Sequence, residues 1–315
     1  IHKVKIKNDE TVAVWWNRKT KEWNAVNNIC PHRQASLSDG VINPFTCNIK
    51  CRYHGLEFNK NGKCTSIPSS TFDTSIFSVK EYNIKEKYNL LWINDNELDI
   101  PTIDILEEDH SKLPWFVSHE DIPYDFLIEN SIDSAHVNNV HSGMMPGINR
   151  YKPFGYFDEV STNWFNETGF SCTLNNAYVN FTTDVLYVAP YYTYINFPRA
   201  SIFAISIPLN DTSSRFISNL IIKNKNKNKK GKIQKIILNS MINIFSPLIK
   251  KTSPKIFSQD VFIINSQMEN INNEKNYQYS GYADKPVILY NKWLEKYDNK
   301  NNTINNIINQ SNNVV

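Results

Sequence analysis

Two short ligand pairs constrain this chain more than anything else in it. They are Cys30-Pro31-His32 and Cys51-Arg52-Tyr53-His54, in a sequence with only five cysteines and seven histidines. Each pair can place a thiolate and an imidazole on one tight loop, and two such loops make a four-donor set. Two thiolates and two imidazoles suit one tetrahedral zinc ion. They suit equally a two-iron two-sulfur cluster in which both thiolates hold one iron and both imidazoles the other. The distribution of donors favours the cluster. Each pair holds one donor of each kind, so each loop can serve both irons, whereas many zinc ribbons put paired cysteines in each knuckle. Replacing two thiolates by neutral imidazoles raises the reduction potential, and such a centre passes single electrons without binding substrate.

The rest of the composition narrows the setting. Five cysteines are too few for a disulfide scaffold, and an odd number leaves one without an intramolecular partner, which predicts a reducing compartment. Lysine and arginine total 34 against 31 acidic residues, a net +3. Part of the surplus lies in 223–232, and no nucleic-acid partner is expected. A mean hydropathy of −0.46 and the lack of an uninterrupted apolar run of about 18 residues argue against a membrane-spanning helix. Membrane contact is expected to be peripheral at most. The chain opens on Ile1 in strand-like alternation, which reads as a truncated or processed end and not as a targeting peptide.

A length of 315 residues, about twice that of one typical domain, predicts two. Residues 1–98 give short alternating runs, among them 11–16, 22–26, 55–58 and 90–93, punctuated by Asn61-Gly62 and Ser38-Asp39-Gly40. That pattern predicts a small antiparallel all-β domain. Residues 99–114 are acidic and read as a surface linker. A second domain is expected over 115–297, with a helix at 131–140 and strands at 172–186, 192–197, 202–207 and 215–222, forming a mixed sheet with helices packed on it. The fold class is therefore α+β. The Lys/Asn alternation of 223–232 reads as a solvated loop. Residues 234–249 read as an amphipathic helix whose Ile237, Met241, Ile244, Phe245 and Leu248 are expected to cover the core, a membrane surface being the alternative. The Asn-rich residues 298–315 are expected to form a disordered tail.

A second constellation runs from Glu129 through Asp133 and His136 to His141. On a regular helix Asp133 and His136 share a face. His136 and His141 are roughly 140° apart at about 100° per residue, so both reach one metal only if the helix ends or bulges between them. Asn138-Asn139 is the expected break. Two imidazoles and one carboxylate on one face of an iron leave positions for dioxygen and substrate; a pair of ordinary helix histidines is the plain alternative. Asp133 sits too near His136 in sequence to be the obvious third ligand. Tyr187, Tyr191, Tyr192, Tyr194 and Phe197 could line a flat pocket, although such residues more often pack a core.

The stretches 30–40 (CPHRQASLSDG), 51–58 (CRYHGLEF) and 62–68 (GKCTSIP) resemble the Rieske domain of ring-hydroxylating-type oxygenases. They are most similar to the branch containing pheophorbide a oxygenase, chlorophyllide a oxygenase and the Rieske protein of the chloroplast inner-envelope translocon. Leu56 departs from the family, which usually has Trp after His-Gly. The resemblance implies a Rieske domain whose [2Fe-2S] cluster is held by Cys30, His32, Cys51 and His54. It implies next a helix-grip (START-like) catalytic domain, with an antiparallel sheet and flanking helices, holding a mononuclear Fe(II). The family's iron ligands match His136, His141 and a late-helix carboxylate with Gln seven residues on, a pattern met by Asp260 and Gln267.

The resemblance also gives Asp133 a role, bridging His136 to the cluster ligand His54 of the partner subunit in a head-to-tail homotrimer. No flavin or nicotinamide glycine fingerprint is present, so electrons are expected from an external ferredoxin or reductase. Dioxygen and a small ring substrate complete the reaction. The segment 128–136 and the stretch 141–147 (HSGMMPG) favour a chlorophyll-derived tetrapyrrole. The alternatives are an oxygenase for another small ring compound (aromatic acid, sterol or alkaloid) and a Rieske electron carrier without oxygenase activity. The implied location is cytoplasmic, or the plastid stroma or thylakoid periphery.

Overall fold

A computed structural model describes residues 1–68, 73–96, 100, 102–143, 157–176, 182–224, 229–271, 275–298 and 313–314. The chain divides into two units, Ile1–Ile103 with Asn309–Val315, and Asp104–Ile308.

The described residues of the first unit form three small antiparallel sheets. Strands β1 (His2–Lys5), β2 (Thr11–Asn17) and β3 (Glu22–Asn27) form a meander, and β4 (Val41–Ile42), β5 (Ile49–Lys50), β6 (Glu57–Phe58) and β7 (Cys64–Ser66) form a second sheet in sequence order. β2 is rich in the β-branched and aromatic residues that strands favour. Its Val12, Ala13, Val14 and Trp15 are all buried, so it is covered on both faces. The Trp15 indole N–H donates to the Cys47 carbonyl at 2.9 Å, which ties the first sheet to the second. Strands β8 (Asn83–Lys87) and β9 (Leu90–Asn94) form a hairpin. Its two turn residues, Tyr88 and Asn89, both have positive φ (61° and 58°), the conformation that matches the right-handed twist of paired strands. The expected disordered tail is corrected at its end: Asn313 and Val314 pair with Ile93 and Trp92. Residues 299–312 lie outside the described residues.

The expected linker is also corrected. Its residues 104–107 form a one-turn helix, α1 (Asp104–Glu107), and 111–112 form a strand, β10 (Ser111–Lys112), both inside the second unit. Ser111 and Lys112 pair with Ile222 and Ile221, which the acidic composition of the segment does not reveal.

Among its described residues, the second unit is one eight-stranded sheet with helices against it. After β10 come β11 (Phe116–Glu120), β12 (Phe157–Asn166), β13 (Gly169–Asn176), β14 (Thr182–Val188), β15 (Tyr192–Asn196), β16 (Ala200–Pro208) and β17 (Ser214–Ile222). The order is β10-β17-β16-β15-β14-β13-β12, with β11 also on β17. Every pairing is antiparallel. The sheet is thus antiparallel, as the family resemblance implies, and not mixed. The single strand expected at 172–186 is instead a paired hairpin, with Gly169 opposite Val188.

The α-helices that follow α1 among the described residues are, in chain order, α2 (Tyr124–Ile132), α3 (Val137–Val140), α4 (Lys229–Asn270) and α5 (Lys285–Trp293). The last holds the sheet through Trp293, whose ring lies 5.2 Å from that of Tyr187 and whose N–H donates to the Asn166 carbonyl at 2.9 Å. Each large apolar side chain removed from water in this way contributes about 1.5–3 kcal/mol before entropy is counted.

Helix α4 is much longer than the helix expected at 234–249, and it runs on through Asp260 with Pro247 and Pro254 inside it. Its orientation overturns the expected burial. Ile242, Phe257, Asp260 and Ile264 are buried, whereas Ile237, Met241, Ile244, Phe245 and Leu248 are exposed. Ile237 and Ile242 are five residues apart, about 140° around the axis, so the helix is apolar on two faces and the sheet takes only one.

Candidate metal centres

Cys30 and Cys51 open two loops with one geometry. The Gln34 N–H donates to the Cys30 carbonyl at 2.8 Å and the Gly55 N–H to the Cys51 carbonyl at 3.0 Å, while Cys30 and Cys51 themselves donate to Ala35 and Leu56 at 2.9 Å. The residue closing each turn has positive φ, 57° at Gln34 and 79° at Gly55. At Gly55 a β-carbon would lie 2.9 Å from Pro68 Cγ, so the chain around Pro68 can approach this loop only because the residue is glycine.

Cys30 and Cys51 are buried, His32 is exposed and His54 half-buried, and the two imidazole rings meet edge to face with their centroids 4.6 Å apart. Burial, with the adjacent Cys51 thiol adding to it, pushes the Cys30 thiol up to about 11. A thiol that resists ionisation alone becomes a thiolate ligand when a metal cation supplies the compensating charge. Leu56 fills its buried place beside Leu37, Ile49 and Phe58. Cys47, Cys64 and Cys172 are buried as well, and burial pushes the Cys172 thiol up to about 12, as suits an inert packing residue.

The second constellation closes on a third element. Helix α2 stops at Asp133, whose φ and ψ of −82° and 100° are extended, and the Asp133 carboxylate accepts the Ala135 N–H at 2.8 Å. The chain then makes one turn, α3, flanked by His136 and His141. The break therefore falls before His136 and not at Asn138-Asn139, which lie inside α3. His141, at φ −98° and ψ 19°, ends the turn, and the two rings lie 5.5 Å apart.

From α4, Asp260 Oδ1 lies 3.4 Å from His136 Nε2 and 3.2 Å from His141 Nε2. Donors about 2.1 Å from a common ion, at angles of about 90–110°, lie about 3.0–3.4 Å apart. Asp260 Oδ1 and His136 Nδ1 are buried without a hydrogen-bond partner, which a bound cation would relieve at the carboxylate. Among the described residues, His136, His141 and Asp260 are the group that brings three donor atoms within 4.8 Å of one another. Cys30, His32, Cys51 and His54 do not close on one ion in this way, which suits a two-iron cluster better than a single tetrahedral zinc.

A residue to which the sequence assigned no role completes this centre. Gln259 Oε1 lies 3.0 Å from His141 Nδ1, and a carbonyl oxygen there requires Nδ1 to carry the proton, leaving the Nε2 lone pair free for an ion shared with Asp260. Burial draws the His141 imidazole down, but the negative charge of Asp260 beside it, with Gln259, outweighs this and leaves it above its ordinary value. Asp133 stands in the corresponding position to His136, its Oδ2 3.6 Å from Nδ1, at ion-pair rather than hydrogen-bond distance. Replacing Gln259 by Leu is expected to weaken Fe(II) binding about 10- to 100-fold, read by competition with a ferrous chelator. Unchanged affinity would show that the tautomer is held by other groups.

These three side chains open on a cavity of about 470 Å³ whose other walls include Phe116, Ile195, Ile202, Phe216 and Phe257. Phe216 and Phe257 stack at 4.7 Å, with the edge of Phe116 against Phe257. Of the five aromatic residues suggested by the sequence, Phe197 alone reaches the cavity; Tyr187 packs under α5. Residues 144–147 of the HSGMMPG stretch lie outside the described residues.

The family profile described as Rieske [2Fe-2S] domain matches residues 2–82. Protochlorophyllide-dependent translocon component 52 of Arabidopsis thaliana is 33% identical over 49% of this chain and 30% of its own length. The chain therefore carries a Rieske domain over residues 2–82. A Rieske domain binds a [2Fe-2S] cluster, and Rieske oxygenases use a mononuclear iron besides. Flavonoid 8-hydroxylase 2 of Ocimum basilicum is 25% identical over 91% of this Rieske chain and 60% of the hydroxylase. The chain thus spans less than two thirds of either relative. The crystal structure of dicamba monooxygenase bound to dicamba has the same fold, with a TM-score of 0.65 at 17% identity over 95% of this chain and 92% of that one. No helix among the described residues is long and apolar enough to cross a membrane.

Proposed function

We propose that the chain is a Rieske-type monooxygenase that takes electrons from a separate ferredoxin or reductase and oxygenates an apolar ring molecule. The observation that carries this reading is the convergence of His136, His141 and Asp260 on the wall of an apolar cavity. When bound, a cluster at Cys30, His32, Cys51 and His54 supplies single electrons, and ferrous iron at His136, His141 and Asp260 supplies dioxygen activation. The residues of the chain do the rest. Gln259 and Asp133 orient the two imidazoles, while Phe116, Phe216 and Phe257 hold a flat ring against the ligand set and exclude water. Asp133 also offers a carboxylate to His54 of the partner subunit in a head-to-tail homotrimer, the arrangement the family resemblance implies.

For the substrate, the sequence resemblance and the translocon relative support a chlorophyll-derived tetrapyrrole. A compact ring compound is the second reading. It is favoured by the flavonoid hydroxylase being similar over 91% of the chain and by a cavity of about 470 Å³, well inside the range of about 300–1,000 Å³ typical of small-molecule sites. Oxygen uptake and product analysis of the iron-loaded, ferredoxin-reduced protein decide between them. Uptake coupled to product with pheophorbide a supports the first, and coupling only with a flavone or a substituted benzoate supports the second. Full metal loading without coupled product from any of these ring classes counts against the oxygenase reading.

A further inference from the structure

The outward face of α4 has no role in either metal centre. Ile236, Ile237, Met241, Ile244, Phe245 and Leu248 are 49% to 71% exposed. The spacing of Ile237, Met241, Ile244 and Leu248 puts them on one stripe. On the opposite side, Lys235 bonds Asp109 and Ile242 is buried, so the stripe cannot turn inward without breaking the packing that places Asp260. A contiguous apolar face of this size on a folded chain marks a surface that another phase or molecule covers.

Charge identifies the occupant. Between Asp211 and Asp260 there is no acidic residue, and ten lysines fall within 223–255. Lys232, Lys250, Lys251 and Lys255, on the helix itself, are exposed. Ten positive charges exceed the net +3 of the whole chain, so the remaining residues are net acidic and the basic character is concentrated at this helix. A second copy laid face to face on the stripe would set lysine against lysine. An anionic bilayer would instead cover the apolar side chains and neutralise the lysines that flank them.

We infer that α4 is a lipid-surface helix: its outer face seats the protein on an anionic bilayer while its inner face carries Asp260. The helix lies in the interface plane and does not span.

The test is co-sedimentation of the iron-loaded protein with vesicles of phosphatidylcholine mixed with phosphatidylglycerol, and with vesicles of phosphatidylcholine alone. The protein is expected to pellet with the anionic vesicles, less so as salt is raised, and to partition far more weakly to the neutral ones. Ile237→Glu with Ile244→Glu is expected to lower partitioning at least about a hundredfold. Lys251→Ala with Lys255→Ala should lower it about thirtyfold on anionic vesicles only, at about 1 kcal/mol for each lysine. Iron content and sedimentation coefficient in solution should match the parent in both variants. The inference is overturned if the parent stays in the supernatant with both vesicles. It is likewise overturned if the glutamate variant partitions as the parent does, or if that variant changes the oligomeric state instead, which would make the face a protein interface.

Discussion

Replacing Asp260 by Ala is expected to remove one iron per chain and to leave the visible absorption and reduced EPR signal of the cluster in place. The two centres are built from separate sets of elements. The cluster loops hang from β3 to β7 of the first unit, whereas Asp260 sits on α4 of the second. Within the second centre Asp260 is the single anionic donor, 3.2 Å and 3.4 Å from the two imidazole nitrogens. Two neutral imidazoles alone bind a hard ferrous ion weakly, so loss of the carboxylate should cost the site its metal and the protein its turnover. The fold should survive, because a buried carboxylate is replaced by a small apolar side chain and no charge is left unpaired. Iron analysis alongside cluster absorption checks this; retention of all the iron in the variant would assign the third ligand elsewhere.

Replacing Asp133 by Asn separates metal binding from activity. The Asn side-chain oxygen can still accept the Ala135 N–H that ends α2, so the turn leading to His136 is kept. The negative charge 3.6 Å from His136 Nδ1 is lost, and with it the carboxylate proposed to reach His54 of the partner subunit. Both metal centres are expected to load normally while turnover falls about a hundredfold or more. Steady-state product formation per loaded iron measures it. Parent-like turnover at full loading would eliminate the proposed bridge.

How legible this was in the sequence depends on the range of the interaction. The cluster loops are local, since a Cys-x-His and a Cys-x-x-His pair each fit one turn, and their spacing alone raised a two-iron cluster. His136 and His141 were visible for the same reason. Asp260, over a hundred residues away, came only through family resemblance, because no periodicity connects α4 to α3. Gln259 was hidden more deeply: it precedes Asp260 by one residue, about 100° around the helix, and its bond to His141 exists only in the folded unit.

The errors have the same physical origin. The stripe at 237–248 has the spacing of a core face, but a 3.6-residue period does not say which side of a two-faced helix meets the sheet. The acidic segment 104–112 looked like a linker, yet it is held by backbone pairing of Ser111 and Lys112, which any side chains can make. Residue type points to a helix break at Asn138-Asn139, whereas the Asx bond of Asp133 sets it three residues before His136. In the last two cases local propensity gave way to a backbone or side-chain hydrogen bond.

Iron and acid-labile sulfide, measured together on the anaerobically reconstituted full chain, test the two-centre assignment most directly. About three irons and two sulfides per chain are expected, two of the irons in the cluster and one chelatable as Fe(II). Two irons with two sulfides and no further ferrous uptake, or zinc without sulfide, would contradict it.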